Sequence, residues 1–207
     1  MKNMYIIISK TNTKMGRFIR TITQYEYNHV SLALNNELSP MYSFARYHQN
    51  RAFIGGFVEE SWLRYLLPNK DVDVIVFLIP LSQEKYQHLE ELLNEFIKNK
   101  DQHRYNFIET IRTYLPMSYN LESNNHTCLS FVVSILKEVK VLPRQQRISN
   151  IKMLHKSLTS YPHVKKTITE DEIKDFFENR SWDNDQYIHK STSLLKRILN
   201  QITSYLQ

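Results

Sequence analysis

The chain holds one cysteine, Cys128, in the stretch NNHTCLSFVVSIL (124–136), and eight histidines. A thiol becomes a strong nucleophile once deprotonated, and a helix N-terminus and a nearby imidazole both favour the thiolate. The sequence offers the first of these. Asn124, Asn125 or Thr127 can cap a helix whose apolar positions are Phe131, Val132, Ile135, Leu136 and Val139. Cys128 then sits in the first turn, where its own backbone N–H can help bind an oxyanion. The competing reading is a buried structural cysteine, since free cysteine is among the most buried residues.

His29 is the candidate base. In NHVSLAL (28–34), Val30, Leu32 and Leu34 share one face of a strand and His29, Ser31 and Ala33 the other. The second face is small, so a helix approaching it would bring Cys128 to the His29 ring. The competing reading is a strand histidine on a partly exposed face. His126 is two residues from Cys128, and side chains at that separation point apart on a helix. His48, His88, His103, His155, His163 and His189 lie in turns or on polar helix faces and read as surface residues. An imidazole base needs a third group to orient it. Ser43 is the polar residue on the return strand MYSFARY (41–47). Glu59 and Glu60 could reach back instead, although they read first as exposed charges beside a Gly-Gly turn.

The elements that must position these groups follow from periodicity. MYIIIS (4–9) and DVDVIVFLIP (71–80) are buried strands, and 28–34 with 41–47 form a hairpin across NNELSP (35–40). Phe18, Ile19 and Ile22 place a short helix at 14–24. Residues 82–100 form the clearest helix, capped by Ser82, with Leu89, Leu92, Leu93 and Phe96 as its apolar stripe. Gly-Gly at 55–56 reads as a break, 61–67 as a short helix ended by Pro68, and 105–115 as another helix. The fold class is α+β, a small, mostly antiparallel sheet packed with helices. Residues 1–142 form the core. Residues 143–207 form a basic, mainly helical extension packing on or tethered to it, with helical pieces near 169–179 and 191–206.

Composition narrows the function. Three glycines and no Walker or dinucleotide pattern argue against phosphate loops. One cysteine rules out an internal disulfide and any zinc site with two thiolates, and no metal or cofactor is expected. The "DVD" at 71–73 lacks partner ligands. The apolar run in MKNMYIIISK is too short for an export signal, and no stretch approaches the roughly 18 apolar residues of a membrane span. The expectation is a cytoplasmic protein. Of the net +6, residues 1–136 carry +1 and residues 137–207 carry +5. Between 139 and 169 stand seven basic residues and no acid: Lys140, Arg144, Arg147, Lys152, Lys156, Lys165 and Lys166. That stretch is either a solvated face or a contact for an anionic surface such as a membrane, which would make the protein peripheral to it. No specific nucleic-acid module is present.

The order of these pieces resembles a known family. A strand is followed by a short basic-aromatic helix, YNHVSLAL, a return strand, the strand–helix unit VDVIVFLIPLSQEKYQHLEELLNEFI, and HTCLSFVVSIL. This is similar to the circularly permuted papain-like, NlpC-type superfamily in its YiiX-like and lecithin:retinol-acyltransferase-like branch, where the histidine strand precedes the cysteine helix. The resemblance covers roughly residues 4–140. It implies Cys128 as nucleophile, His29 as base, and a cysteine hydrolase or acyltransferase acting on peptide-like amides or lipid esters. In the family a His, Glu or Gln sits on the strand after the histidine. MYSFARY has none, and Ser43 is the nearest equivalent. That departure leaves a catalytically inactive binding module on the same fold as the alternative.

Overall fold

β1 (Lys2–Ser9) is an unbroken apolar run because both of its faces are covered. Ile6 and Ile8 join one buried cluster and Ile7 joins another. The computed structural model describes residues 1–47, 55–62, 65, 71–100, 104–105, 125–169 and 172. Around β1 stand β2 (His29–Ala33), β3 (Met41–Arg46), β4 (Gly55–Glu60), β5 (Val72–Leu81) and β8 (His163–Ile168). They form one antiparallel sheet in the order β4-β3-β2-β1-β5-β8. β6 (Arg104–Tyr105) and β7 (Asn125–His126) pair in parallel as a separate short ribbon. With the helices, the architecture is α+β.

Three capped helices lie against the Ile6/Ile8 face. They are α2 (Gln83–Lys98, capped by Ser82), α3 (Cys128–Glu138, capped by Thr127) and α4 (Ile151–Leu158, capped by Asn150). In each, the capping side chain accepts a backbone N–H that the helix cannot satisfy itself. Phe44, Phe57, Phe96 and Phe131 interlock beneath them, with ring centroids 5.1 to 6.0 Å apart. The opposite face is narrower and is covered by Leu38, Trp62 and Tyr65 over Ile7, Ala33, Met41 and the valines of β5.

Three expectations change here. Gly55 and Gly56 do not break the chain; they open β4. A Cβ on Gly55 would lie 2.4 Å from the Ala45 carbonyl oxygen, so glycine is what lets β3 and β4 approach. α1 (Lys14–Thr23, capped by Thr13) forms as the spacing implies, but Phe18 and Ile22 face outward. The sheet also crosses the boundary drawn at 142/143, because β8 hydrogen-bonds along β5 and α4 buries Leu154 and Leu158 in the main core. Most of the helix expected at 61–67, and nearly all of those expected at 105–115, 169–179 and 191–206, lie outside the described residues, Tyr105 itself standing in β6.

Phe131 is fully buried against three other phenylalanines. Phe131→Ala is expected to cost about 3–5 kcal/mol, read as a lowered urea midpoint with an unchanged slope.

Candidate active site

His29 is the first residue of β2, and Cys128 is the first residue of α3. α3 packs on β2 through the Val30/Leu32 face, not through the small His29/Ser31/Ala33 face expected to receive it. Its position comes from its own burial, since every residue from Leu129 to Leu136 is buried. Thr127 and Ser130 close a reciprocal capping box: Ser130 N–H donates to Thr127 Oγ1 at 3.0 Å and Thr127 N–H to Ser130 Oγ at 2.8 Å. Cys128 therefore sits at a fixed helix N-terminus, and its sulfur is one of the groups that raise the His29 pKa. Cys128 is partly exposed rather than sealed in the core.

The other side of the imidazole meets Glu60. His29 Nε2 donates to both carboxylate oxygens, at 3.0 and 2.9 Å. The Glu60 side chain is 1% exposed and that of His29 13%. Two further donors saturate the buried carboxylate. Ser31 Oγ donates to Oε2 at 2.9 Å and Tyr65 OH at 3.0 Å. The β3–β4 register explains this placement. Met41 pairs with Glu60, and Ala33 pairs with Met41, so Glu60 shares the His29/Ser31/Ala33 face.

Burial by itself pulls the His29 pKa down. The negative charge and hydrogen bond of Glu60, with the Cys128 sulfur, outweigh it and push the value up to about 10. Burial and the Glu60 charge hold the Tyr65 phenol well above its ordinary range, so it stays a donor.

Ser43 is buried on the same face, but its hydroxyl donates to the Val30 carbonyl at 2.9 Å. The group against His29 is Glu60, not Ser43. Two strand positions from the Gly-Gly pair carry this result. Reading 55–56 as a turn left Glu59 and Glu60 as surface charges, whereas a period-two strand from Gly56 through Val58 puts Glu60 inward. Tyr65 was also not anticipated, and nothing in SWLRYLL marks it as a hydroxyl donor. His126 is buried with its ring against Phe44 and Phe96, at 5.0 and 5.9 Å between centroids. His155 is not a plain surface residue, as it bonds the Tyr25 hydroxyl and packs on Phe77. His88 and His163 are exposed, and His48, His103 and His189 lie outside the described residues. No cluster of His, Cys, Asp and Glu suited to a metal exists among the described residues. No helix among them is long and apolar enough to cross a membrane.

No family model matches the chain, and no curated protein matches it. Among solved structures, the chain is distantly similar to the crystal structure of the type VI secretion system effector TseH. The TM-score is 0.42 and the identity 12%, over 81% of this chain and 97% of that one.

Replacing Glu60 tests the electrostatics. The His29 ring signals, followed by NMR, are expected to titrate near pH 10 rather than 6.5. In Glu60→Gln the midpoint drops by about 1–3 units, because the opposite charge is lost while burial remains. The sign for stability follows from the raised value. The protonated ring stabilises the fold fully below about pH 6.5 and that contribution fades as pH rises through about 10. The stability gap between wild type and Glu60→Gln, from urea unfolding, is therefore widest in the acidic half of that range and narrows towards pH 10.

Proposed function

We propose that the protein is a cysteine-nucleophile hydrolase or acyltransferase, acting on an amide, ester or thioester carbonyl through an acyl-enzyme. The observation that supports this reading best is the His29 ring held by a buried carboxylate that carries further donors, with the Cys128 sulfur among the groups acting on its pKa. Nε2 is engaged by Glu60, which leaves Nδ1 as the nitrogen for the thiol. An imidazole whose protonated form is favoured this strongly accepts the thiol proton readily. The sulfur lone pair then forms the S–C bond as the carbonyl π electrons move to oxygen. The Cys128 backbone N–H, which has no intrahelical acceptor at the first helical position, donates to that oxyanion. Collapse breaks the bond to the leaving group, which takes the proton from His29. Water or an acyl acceptor, deprotonated by His29, completes the cycle and restores the thiol.

The order of strand and helix, with His29 before Cys128, agrees with the permuted papain-like resemblance. The inactive-module alternative drew its support from the missing orienting group on the strand carrying Ser43. Glu60, from the next strand, is suited to that role: it fixes the ring plane and compensates the imidazolium.

The test is trapping of the acyl-enzyme. Incubation with p-nitrophenyl acyl esters and intact-mass measurement is expected to give one acyl addition on wild type and none on Cys128→Ala. Acylation in His29→Ala should fall about 10²–10⁴-fold, and Glu60→Gln should be slowed while Ser43→Ala keeps near wild-type rates. Iodoacetamide supplies a second measurement. At a fixed neutral pH, Cys128 should alkylate faster in wild type than in His29→Ala. An alkylation rate indifferent to His29 would sink the reading.

A further inference from the structure

In an ordinary surface helix the apolar stripe faces the core. α1 is turned the other way. Gly16, Arg20 and Thr23 lie on its inner side. A Cβ on Gly16 would stand 2.6 Å from the Thr11 carbonyl oxygen, and Arg20 donates to that oxygen and to Asn28 Oδ1. The anchoring contacts among its described side chains are polar ones and close backbone approach, with Ile19 half-buried beside them. Its outer stripe is Arg17, Phe18, Thr21 and Ile22, with Phe18 51% and Ile22 48% exposed. Two large apolar side chains at i and i+4 thus stand in water beside a cation, and α1 contains no acidic residue.

The pattern extends beyond α1. Apart from Met1, the other large apolar side chains exposed among the described residues are Met153 on α4 and Val164 on β8. Both elements contain basic residues and no acid. The segment after α1 touches both, through Tyr25 to His155 and Glu26 to Lys165. Glu26 is itself flanked by Lys10 at 3.6 Å and Lys165 at 3.3 Å. α1 also spans the link from Ser9 to His29, which are paired residues at the site end of the sheet.

We propose that α1 is a docking helix for an anionic lipid surface. Phe18 and Ile22 enter the headgroup–acyl boundary, and Arg17 meets lipid phosphate. A purely electrostatic partner such as nucleic acid would account for the cations but not for two apolar side chains held outward by a polar anchorage. The inference stands apart from the catalytic reading, and Cys128→Ala is expected to dock like wild type.

The experiment is cosedimentation of the full chain with vesicles of phosphatidylcholine alone or mixed with phosphatidylserine. Wild type should sediment with the mixed vesicles and much less with the neutral ones. Phe18→Ser with Ile22→Ser should weaken binding on the order of tenfold to a hundredfold. Arg17→Ser should weaken it about fivefold, an effect that fades in high salt. Thr21→Trp adds an apolar ring to the stripe and should tighten binding, a gain that damaged folding cannot mimic. The proposal is overturned if wild type ignores mixed vesicles, or if the double variant binds them equally. It is also overturned if duplex DNA captures wild type and double variant alike while vesicles capture neither, or if light scattering shows a wild-type dimer that the double variant dissolves.

Discussion

A carboxylate at 1% exposure must be saturated with donors or it cannot stay charged, and the site end of this fold is arranged around meeting that demand for Glu60. The donors come from two places in the sequence: His29 and Ser31 on β2, and Tyr65 after β4. Removing one partner of such a group typically costs about 3–5 kcal/mol. The same requirement fixes strand register. A one-residue slip of β4 would turn Glu60 onto the face holding Phe44, Phe57 and Phe131, where no comparable set of donors waits. One buried ion therefore aligns β2, β3 and β4 and sets the plane of the imidazole.

The thiol is placed by a different force. Apolar burial along α3 from Leu129 to Leu136 sets where that helix lies, and the Thr127–Ser130 box sets where it begins. The two constraints act on opposite faces of the sheet. His29 is the first residue of its strand and Cys128 the first of its helix, and the Glu60 carboxylate and the Cys128 sulfur both act on the same ring. An approach at a strand end needs no small residues beneath the helix. It also keeps the polar network out of the phenylalanine cluster, whose packing density would not tolerate unsatisfied groups.

Much of this was legible from sequence, for reasons that differ by element. β1, β5, α2 and α3 follow from periodicity and caps, because each buries a regular apolar pattern and ends on residues with one strong preference. Cys128 and His29 could be singled out by residue type, while the argument joining them through a small strand face was physically mistaken, because α3 packs on the Val30/Leu32 face. Glu60 stood only as the second choice, after an exposed charge, because two glycines carry opposite meanings, a turn or a close strand approach, and only the neighbouring backbone of Ala45 decides between them. Tyr65 was missed because a single hydroxyl carries no periodic signature. β8 escaped notice because His163 to Thr167 are exposed, so it has no apolar alternation to read. The outward turn of α1 was equally hidden, since helical spacing reports that a stripe exists and not which way it faces.

β8 also changes what the basic segment means. As a sequence, residues 139–169 looked like a charged tail. In the fold, backbone hydrogen bonds to β5 hold its last part, and Asp73 ties Lys10 and Thr167 across the same strands at 3.0 and 2.9 Å. A flexible tail loses conformational entropy whenever its charges are ordered against a partner. Charges on a sheet edge and on a capped helix have already lost most of theirs in folding. Some of the excess is internally spent, because Lys165 pairs with Glu26 and Arg144 with Glu138. Such exposed pairs contribute little to stability, so their main effect is on the surface potential. What remains is a smaller but rigid set of cations. Rigidity favours an extended anionic surface over a partner that must be wrapped, because fixed charges meet a plane without further ordering.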